Sequence, residues 1–531
     1  MRRLCLPLMT TLALALAQAP LSATGPAPLR PMTVVHSAEI EGEGCTSIMV
    51  TRGASVDGAT MTSHSCDSIS DRTWMTWVKG ARHPKGTLAK VYKDAKDTKG
   101  PQDPDVKVAG EIPQARETYG YLNAAYPIMN EHQLAIGETT IGGRKDLVSE
   151  VGILDAPELF RLALERAKTA REAIQIIDQL TKAHGYNDAG ESFTFADKQE
   201  VWLFEIYGPG KGRKGAVWAA QRVPDGHVSV SANASRIRQI DLKDKEQFLA
   251  SDNVFSLAKE MGWWKEGEVF DFAYAYAPAS RTSVGCRIRE WRALSLLAPS
   301  LKLDPQSENH PFSVKPEKKV SVQDLMAVFR DHYDGTAFDQ TAGLVRENKG
   351  QWEKSPIANP FAPRDLKAAL KVQAQRTIAV PQATYVQITQ SRAWMPDAIG
   401  GVVWLAYDNP VTSVPLPLYV GAQAVPITFT VDGRREYRRD CAWWAFRTAS
   451  KLSHFRWQEM VKDVKEVRDA QEKPLFEQQA KLEAEALALH KQDPAKAGAL
   501  LAQHSAKAAQ QTVEAYWKLA DKLWVKFGKS F

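Results

Sequence analysis

GCTSIMVTRGASVDGATMTSHSCDS, residues 44–68, is the stretch on which the reading of this chain turns. Residues 45–50 form a strand-like run, Asp57-Gly58 marks a turn, and residues 59–65 read as the returning strand. Cys45 therefore opens a β-hairpin. On residue type alone, a lone cysteine is a buried small hydrophobe, but its position argues for more. Residues 20–44, just upstream, are rich in Pro, Gly and small residues, carry Glu39, Glu41 and Glu43, and lack apolar periodicity, which is the composition of a spacer. If the Gly44–Cys45 bond is cut, Cys45 carries both a thiol and a free α-amine. That amine titrates near ~7.7–8.0, close enough to neutrality to accept the thiol proton. One residue then supplies nucleophile and base.

Further upstream, Met1-Arg2-Arg3 is a short basic segment, residues 4–17 are apolar, and Ala17-Gln18-Ala19 places small residues where a signal peptidase cuts. The apolar run is shorter than the roughly 20 residues a membrane span needs. Residues 1–19 are thus expected to be an export signal and residues 20–44 a spacer or propeptide, with the mature protein periplasmic or extracellular. Cys5 precedes the apolar run, which argues against a lipid-modified cysteine at the cleavage site. Residues 411–431 are also uncharged, but Pro415, Pro417 and Pro426 suit turn-broken strands better than a spanning helix.

Downstream, strands are expected at residues 134–138, 201–207, 217–222, 228–232, 384–389 and 402–407. Asp155 and Pro157 open a helical region that runs to Gly185 as two helices. Strands in pairs and helices in pairs suggest an α+β fold, layered around one large core. Residues 462–531 are rich in Ala, Lys, Gln and Glu with helical spacing, and carry 12 basic against 10 acidic residues. They are expected to be a solvated helical appendage, divided at Pro474 and Pro494.

Composition narrows the function classes. Hydrophobic residues at 44% and charged residues at 24% exclude wholesale disorder. Five cysteines in 531 residues exclude a disulfide-dense scaffold. A net charge of +6, with no basic block interleaved with aromatics, gives no reason to expect nucleic acid. Gly210-Lys-Gly-Arg-Lys-Gly215 lacks the end of a phosphate loop, and Gly190-Glu-Ser192-Phe-Thr194 lacks the second glycine of a nucleophile elbow. The cysteines show no paired zinc-ligand spacing, so neither metal nor other cofactor is expected.

The 44–68 run resembles the start of the bacterial secreted dipeptidases with an N-terminal cysteine nucleophile. They are N-terminal-nucleophile hydrolases, relatives of penicillin V acylase and choloylglycine hydrolase. IMNEHQLAIGETTIGGR (128–144), HVSVSANASRI (227–237), REWRALSLLAPSLKL (289–303) and QITQSRAWMPDAIGGVVW (387–404) are similar to that family too, so the likeness covers roughly residues 45–454. The resemblance implies a four-layer αββα sandwich over residues 45–461, the helical appendage at 462–531, and hydrolysis of dipeptides or short peptides. It also implies site residues: Cys45 as nucleophile, Asp67 near its amine, Asn130 and Asn233 as oxyanion donors, and Arg287 beside the thiol, with Arg289 as the competing register.

Each assignment has a plainer competitor. Asp67 and Asn130 could satisfy local backbone, Asn233-Ala-Ser235 is also a glycosylation pattern, and Arg287 could belong to a solvated cluster with Arg281, Arg289 and Arg292. Where the acylases carry an arginine three residues before the aspartate, this chain has His64, which opens an alternative Cys–His mechanism. Cys66 and Cys286 are either inert thiols or a bridged pair. Glu138 and Arg144 are candidates for binding substrate termini. An N-acyl amide hydrolase and a non-catalytic envelope-binding protein are the competing functions.

Overall fold

The hairpin expected at Cys45 forms, and it lies in the middle of a sheet. In a computed structural model, which describes residues 44–68, 70–93 and 106–529, Gly44–Val50 pairs on one side with Ser63–Asp67 and on the other with Val228–Ser231. Residues 1–43, where the export signal and most of the spacer are expected, lie outside the described residues. The described residues belong to one compact unit.

The central hairpin belongs to a 7-stranded sheet in which Tyr385–Gln390, Val402–Tyr407 and Leu416–Tyr419 extend one side. An 8-stranded sheet contains Ala135–Thr140, Glu191–Ala196, Val201–Tyr207 and Val217–Arg222 as consecutive neighbours. Pairing within both sheets is antiparallel. The strands at 135–140, 201–207, 217–222, 385–390 and 402–407 fall within two residues of the expected runs, because each is a β-branched or aromatic segment bounded by turn residues, whereas Ser63–Asp67 starts four residues later than expected and Glu191–Ala196 has no counterpart among the expected strands.

The two sheets meet through polar contacts as well as apolar packing. Ser47 Oγ donates to Glu138 O at 2.8 Å, and Gln387 Nε2 donates to Ile136 O at 2.9 Å. Gly137 makes the close approach possible: a Cβ there would lie 2.6 Å from Ser63 O, a backbone atom that cannot swing away.

Helices pack against both sheets. Asp155 caps Ala156–Arg166 by accepting from Glu158 N at 3.0 Å. Ala170–His184 follows with a capping box at Thr169 and Glu172, and Gly185 ends it at φ 76°. Phe160 packs edge-on against Phe193, and Trp218 Nε1 donates to Asp178 Oδ1, which holds this pair on the larger sheet. On the smaller sheet, Val322–Phe329 and Ala442–Ser453 pack against the strands around residues 385–407, and Val284–Leu297 packs beside Val228–Ser231.

The C-terminal segment differs from the solvated appendage expected. Trp457–His490 is one helix running through Pro474, so the expected break there is absent and the 461/462 boundary falls inside it. An internal proline costs about 3 kcal/mol, and tertiary contacts on either side offset it. Phe476 stacks on Trp404 at 4.3 Å, and Glu483 forms a buried bidentate pair with Arg392 at 2.8 and 2.9 Å. Pro494 does open a helix, Pro494–Phe527, whose Tyr516 hydroxyl donates to Thr412 O. Pro417 sits within the Leu416–Tyr419 strand, and no helix among the described residues is long and apolar enough to cross a membrane.

Candidate functional site

Cys45 is 7% exposed, at the start of the central strand. Two side chains, bonded to each other, hold its main chain. Its N–H donates to Asn233 Oδ1 at 2.9 Å, its carbonyl accepts from Arg289 Nη1 at 2.7 Å, and Arg289 Nη2 also donates to Asn233 Oδ1 at 2.9 Å. Asn233 sits at φ 60°, a left-handed conformation that asparagine tolerates better than most residues, just past the neighbouring strand. Its Nδ2 donates to Thr140 O at 2.7 Å, which leaves one amide hydrogen to spend.

Asp67 lies across from Gly44 in the strand register. Its Oδ2 accepts from Arg376 Nη2 at 2.6 Å and from Ser65 Oγ at 3.2 Å. Burial pushes its carboxyl up, against the pull of Arg376, Arg289 and His64. Arg376 Nη2 also donates to Gly44 O at 3.2 Å. Gly44 itself is at φ 150°, and a Cβ there would lie 2.9 Å from Asn233 Oδ1. Glycine before Cys45 therefore lets Asn233 and Arg376 close on the Gly44–Cys45 peptide from both sides. Arg376 comes from a loop segment without periodicity, and no local signal marks it in the sequence.

Three of the expected roles move. Arg287 is not beside Cys45: its Nη1 donates to Gln306 O at 2.7 Å, away from the strand that Cys45 opens. Two residues on a helix are rotated by roughly 200°, so only one of the two arginines can face Cys45, and it is Arg289. Nor are these arginines a solvated cluster, since Arg281 and Arg289 are 1% and 2% exposed. Asn130 is spent on structure. Its Nδ2 donates to Leu164 O and Ala167 O at 2.9 and 2.8 Å, and its Oδ1 accepts from His132 N and Leu134 N. Both amide hydrogens are taken by carbonyls that end a helix, so none is left for an oxyanion. Arg144 is likewise committed, to Ala275 O, Tyr274 O and the Trp263 ring.

Glu138 is fully buried rather than poised for a substrate terminus. It projects from the facing sheet toward His64, whose Nε2 lies 3.2 Å from Glu138 Oε2. The ligating atoms of Cys45, His64 and Glu138 all lie within 4.8 Å of one another. His64 is enclosed edge-on by Tyr126 and Tyr385 at 5.3 and 5.8 Å. This trio comes from three strands on two sheets, so no spacing rule finds it. Burial pushes the Cys45 thiol well up, and the Glu138 and Asp67 carboxylates add to the effect. Burial acts to raise the Glu138 carboxyl as well, but its contacts with His64 and Glu191 outweigh that and hold it low.

The remaining cysteines do not form the bridge considered for them. Cys66 Sγ donates to Asp71 Oδ2 and Cys286 Sγ to Asn233 O.

A buried cysteine with an amide acceptor at its nitrogen, an arginine on its carbonyl and an acid–arginine pair on the preceding residue suits acyl transfer. Comparison with known proteins agrees. The chain is similar to "Probable dipeptidase B" of Lactococcus lactis, at 26% identity over 427 residues covering 77% of this chain and 81% of that protein. It is similar to "Probable dipeptidase" of Latilactobacillus sakei, at 25% over 407 residues covering 73% and 77%. It is 30% identical over 333 residues to "Probable dipeptidase" of Salmonella dublin, covering 59% of this chain and 69% of the relative. The model of peptidase family C69 matches residues 44–470, a span that begins one residue before Cys45. A non-catalytic role falls with that match: the chain is an enzyme and belongs to peptidase family C69.

Proposed function

We propose that this peptidase is an exported dipeptidase whose nucleophile is the thiol of Cys45, exposed by cleavage of the Gly44–Cys45 bond. On this reading residues 1–19 direct export, residues 20–44 are removed, and the chain from Cys45 to residue 456 forms the four-layer αββα sandwich of an N-terminal-nucleophile hydrolase, with the helices Trp457–His490 and Pro494–Phe527 as its extension. The layering is supported by contacts between the two sheets and by helices packed against each of them. The curated relatives named as dipeptidases support the substrate class.

The observation that carries the proposal is the grip on the Gly44–Cys45 peptide, with Asn233 on its nitrogen and Arg376 on its carbonyl. In the continuous chain that nitrogen is an amide donor and no base. Once the bond is cut it becomes an amine beside Asn233 Oδ1, able to take the thiol proton as Sγ attacks the substrate carbonyl. The remaining amide hydrogen of Asn233 is available to the oxyanion; such a donor is worth about 2.7–4 kcal/mol of barrier. The amine returns its proton to the departing amine of the product, and water releases the acyl group from sulfur.

A Cys–His version, with His64 as base, is favoured by the proximity of His64 to the thiol, and it does not need a free amine. An N-acyl amide hydrolase would use the same groups; turnover of dipeptides against acyl-amides separates the two. The decisive experiment is intact mass and terminal sequencing of active protein. Cys45 is expected as the first residue, and Cys45→Ser should abolish hydrolysis in a folded chain. Full activity with Cys45 still internal refutes the amine mechanism and leaves His64.

A further inference from the structure

We propose that Cys45, His64 and Glu138 form a zinc site, and that metal bound there silences the nucleophile. Their ligating atoms lie mutually within 4.8 Å, and all three residues are buried. The groups also have binding capacity to spare. Neither ring nitrogen of His64 nor Oε2 of Glu138 makes a well-formed hydrogen bond, the 3.2 Å approach between them being too bent. An unsatisfied buried polar group costs about 1–3 kcal/mol, so one His64 nitrogen and Glu138 Oε2, gathered with the Cys45 thiol in one buried cluster, point to a shared partner.

The donor chemistry selects that partner. One thiolate sulfur, one imidazole nitrogen and one carboxylate oxygen make a borderline-soft set suited to Zn²⁺, and three protein ligands leave a fourth position open. The charges balance: thiolate and carboxylate together neutralise a dication beside a neutral imidazole, so the metal relieves the mutual repulsion of two buried anions. In a chain that begins at Cys45, the α-amine is a fourth donor on the same residue as the sulfur, and the two close a small chelate ring. Binding releases the thiol proton to solvent as the sulfur–zinc bond forms, with no change of oxidation state. The sulfur electron pair that would attack a peptide carbonyl is then held by the metal. Silencing rests on Cys45 being the nucleophile; the metal site does not.

The test uses the full processed protein, stripped with a chelator and titrated with Co²⁺ and then Zn²⁺. One equivalent of Co²⁺ is expected to give thiolate-to-cobalt charge-transfer absorption and the intense visible bands of a four-coordinate ion, which Zn²⁺ abolishes by displacement. Zn²⁺ should stop dipeptide hydrolysis and a chelator should restore it. His64→Gln and Glu138→Gln should each weaken Zn²⁺ binding tenfold or more in competition with a chromophoric chelator. If a variant fails to fold, a Zn²⁺-induced rise in the Tm of the unmutated protein that is missing in Cys45→Ser supplies the same evidence. No charge-transfer band in the unmutated protein, or unchanged affinity in both variants, overturns the site. Binding with the thiolate signature but undiminished hydrolysis upholds the metal site and overturns silencing together with the nucleophile assignment. No binding in an enzyme that Cys45→Ser inactivates overturns the metal site alone.

Discussion

Exchanging the two arginines near Cys45 separates the register of the site from its alternative. Arg289, 2% exposed, donates to Cys45 O at 2.7 Å, Ala232 O at 3.1 Å, Asn233 Oδ1 at 2.9 Å and Thr46 Oγ1 at 3.2 Å. Arg289→Ala strands at least two buried carbonyls, at about 1–3 kcal/mol each, so unfolding stability should fall by about 2–6 kcal/mol. It also frees Asn233, and loss of an aligned oxyanion donor should cost about 10²–10³ in kcat. Arg289→Lys keeps the charge but not the planar fork that reaches several acceptors at once. It should recover part of the stability and less of the rate. Arg287→Ala loses a single bond to Gln306 O, worth about 0.5–1.5 kcal/mol, and should leave the rate within about twofold. Urea unfolding gives the stabilities, and dipeptide hydrolysis per folded molecule gives the rates. If Arg287→Ala abolishes hydrolysis while Arg289→Ala spares it, this account of the site is wrong.

Asn130→Ala should act on stability rather than chemistry: it removes two donors to helix-end carbonyls and two acceptor contacts to the following turn. A loss of about 2–4 kcal/mol in urea unfolding is expected, with kcat per folded molecule unchanged; a selective loss of kcat would restore Asn130 to the oxyanion. The Glu290 carboxyl, which burial acts to raise, is held down to about 2 by Arg236, Arg281 and His310. This is a depressed carboxylate, so its stabilisation is present above the unfolded value near ~4.3 and is lost as pH falls toward 2, by about 3 kcal/mol in all. Stability measured against pH should show that acid limb in the unmutated protein and a flatter one in Glu290→Gln.

What the sequence made legible follows from how local each signal is. The hairpin at Cys45, the strands at 201–207 and 217–222, and the helix capped by Asp155 each depend on residues within a few positions, and each lies where expected. The sequence leaves Arg289 only as the competing register to Arg287, because a two-residue shift is small in an alignment but large in direction on a helix. Asn130 has the residue type of an oxyanion donor, but its amide turns toward carbonyls 34 and 37 residues away. Arg376 reaches Asp67 across 309 residues, and His64 meets Glu138 only because two sheets stack. The C-terminal helices read as solvated because their charges outnumber the apolar positions that touch the strands, and Pro474 hid a helix that Trp404 and Arg392 hold together from outside.

The electrostatics of the site bear on why a cleaved amine would matter. Burial, Glu138 and Asp67 all act to keep the Cys45 thiol protonated, so the attack proposed for Cys45 requires a base at the moment of reaction. In the continuous chain the nearest nitrogen of Cys45 is an amide whose hydrogen is already given to Asn233 Oδ1. The proposed cleavage would convert that nitrogen into a base, with Asn233 Oδ1, fixed by Arg289, as the acceptor beside it. The same cut releases Arg376 from Gly44 O but leaves its pair with Asp67. Asp67 alone would raise the amine toward a permanently charged ammonium, and the guanidinium at 2.6 Å offsets that pull. A neutral amine beside a neutral thiol is the protonation state from which attack can begin. On this reasoning Arg376 is as necessary to the mechanism as the residues that touch the sulfur, since without it the amine would be charged when the substrate arrives.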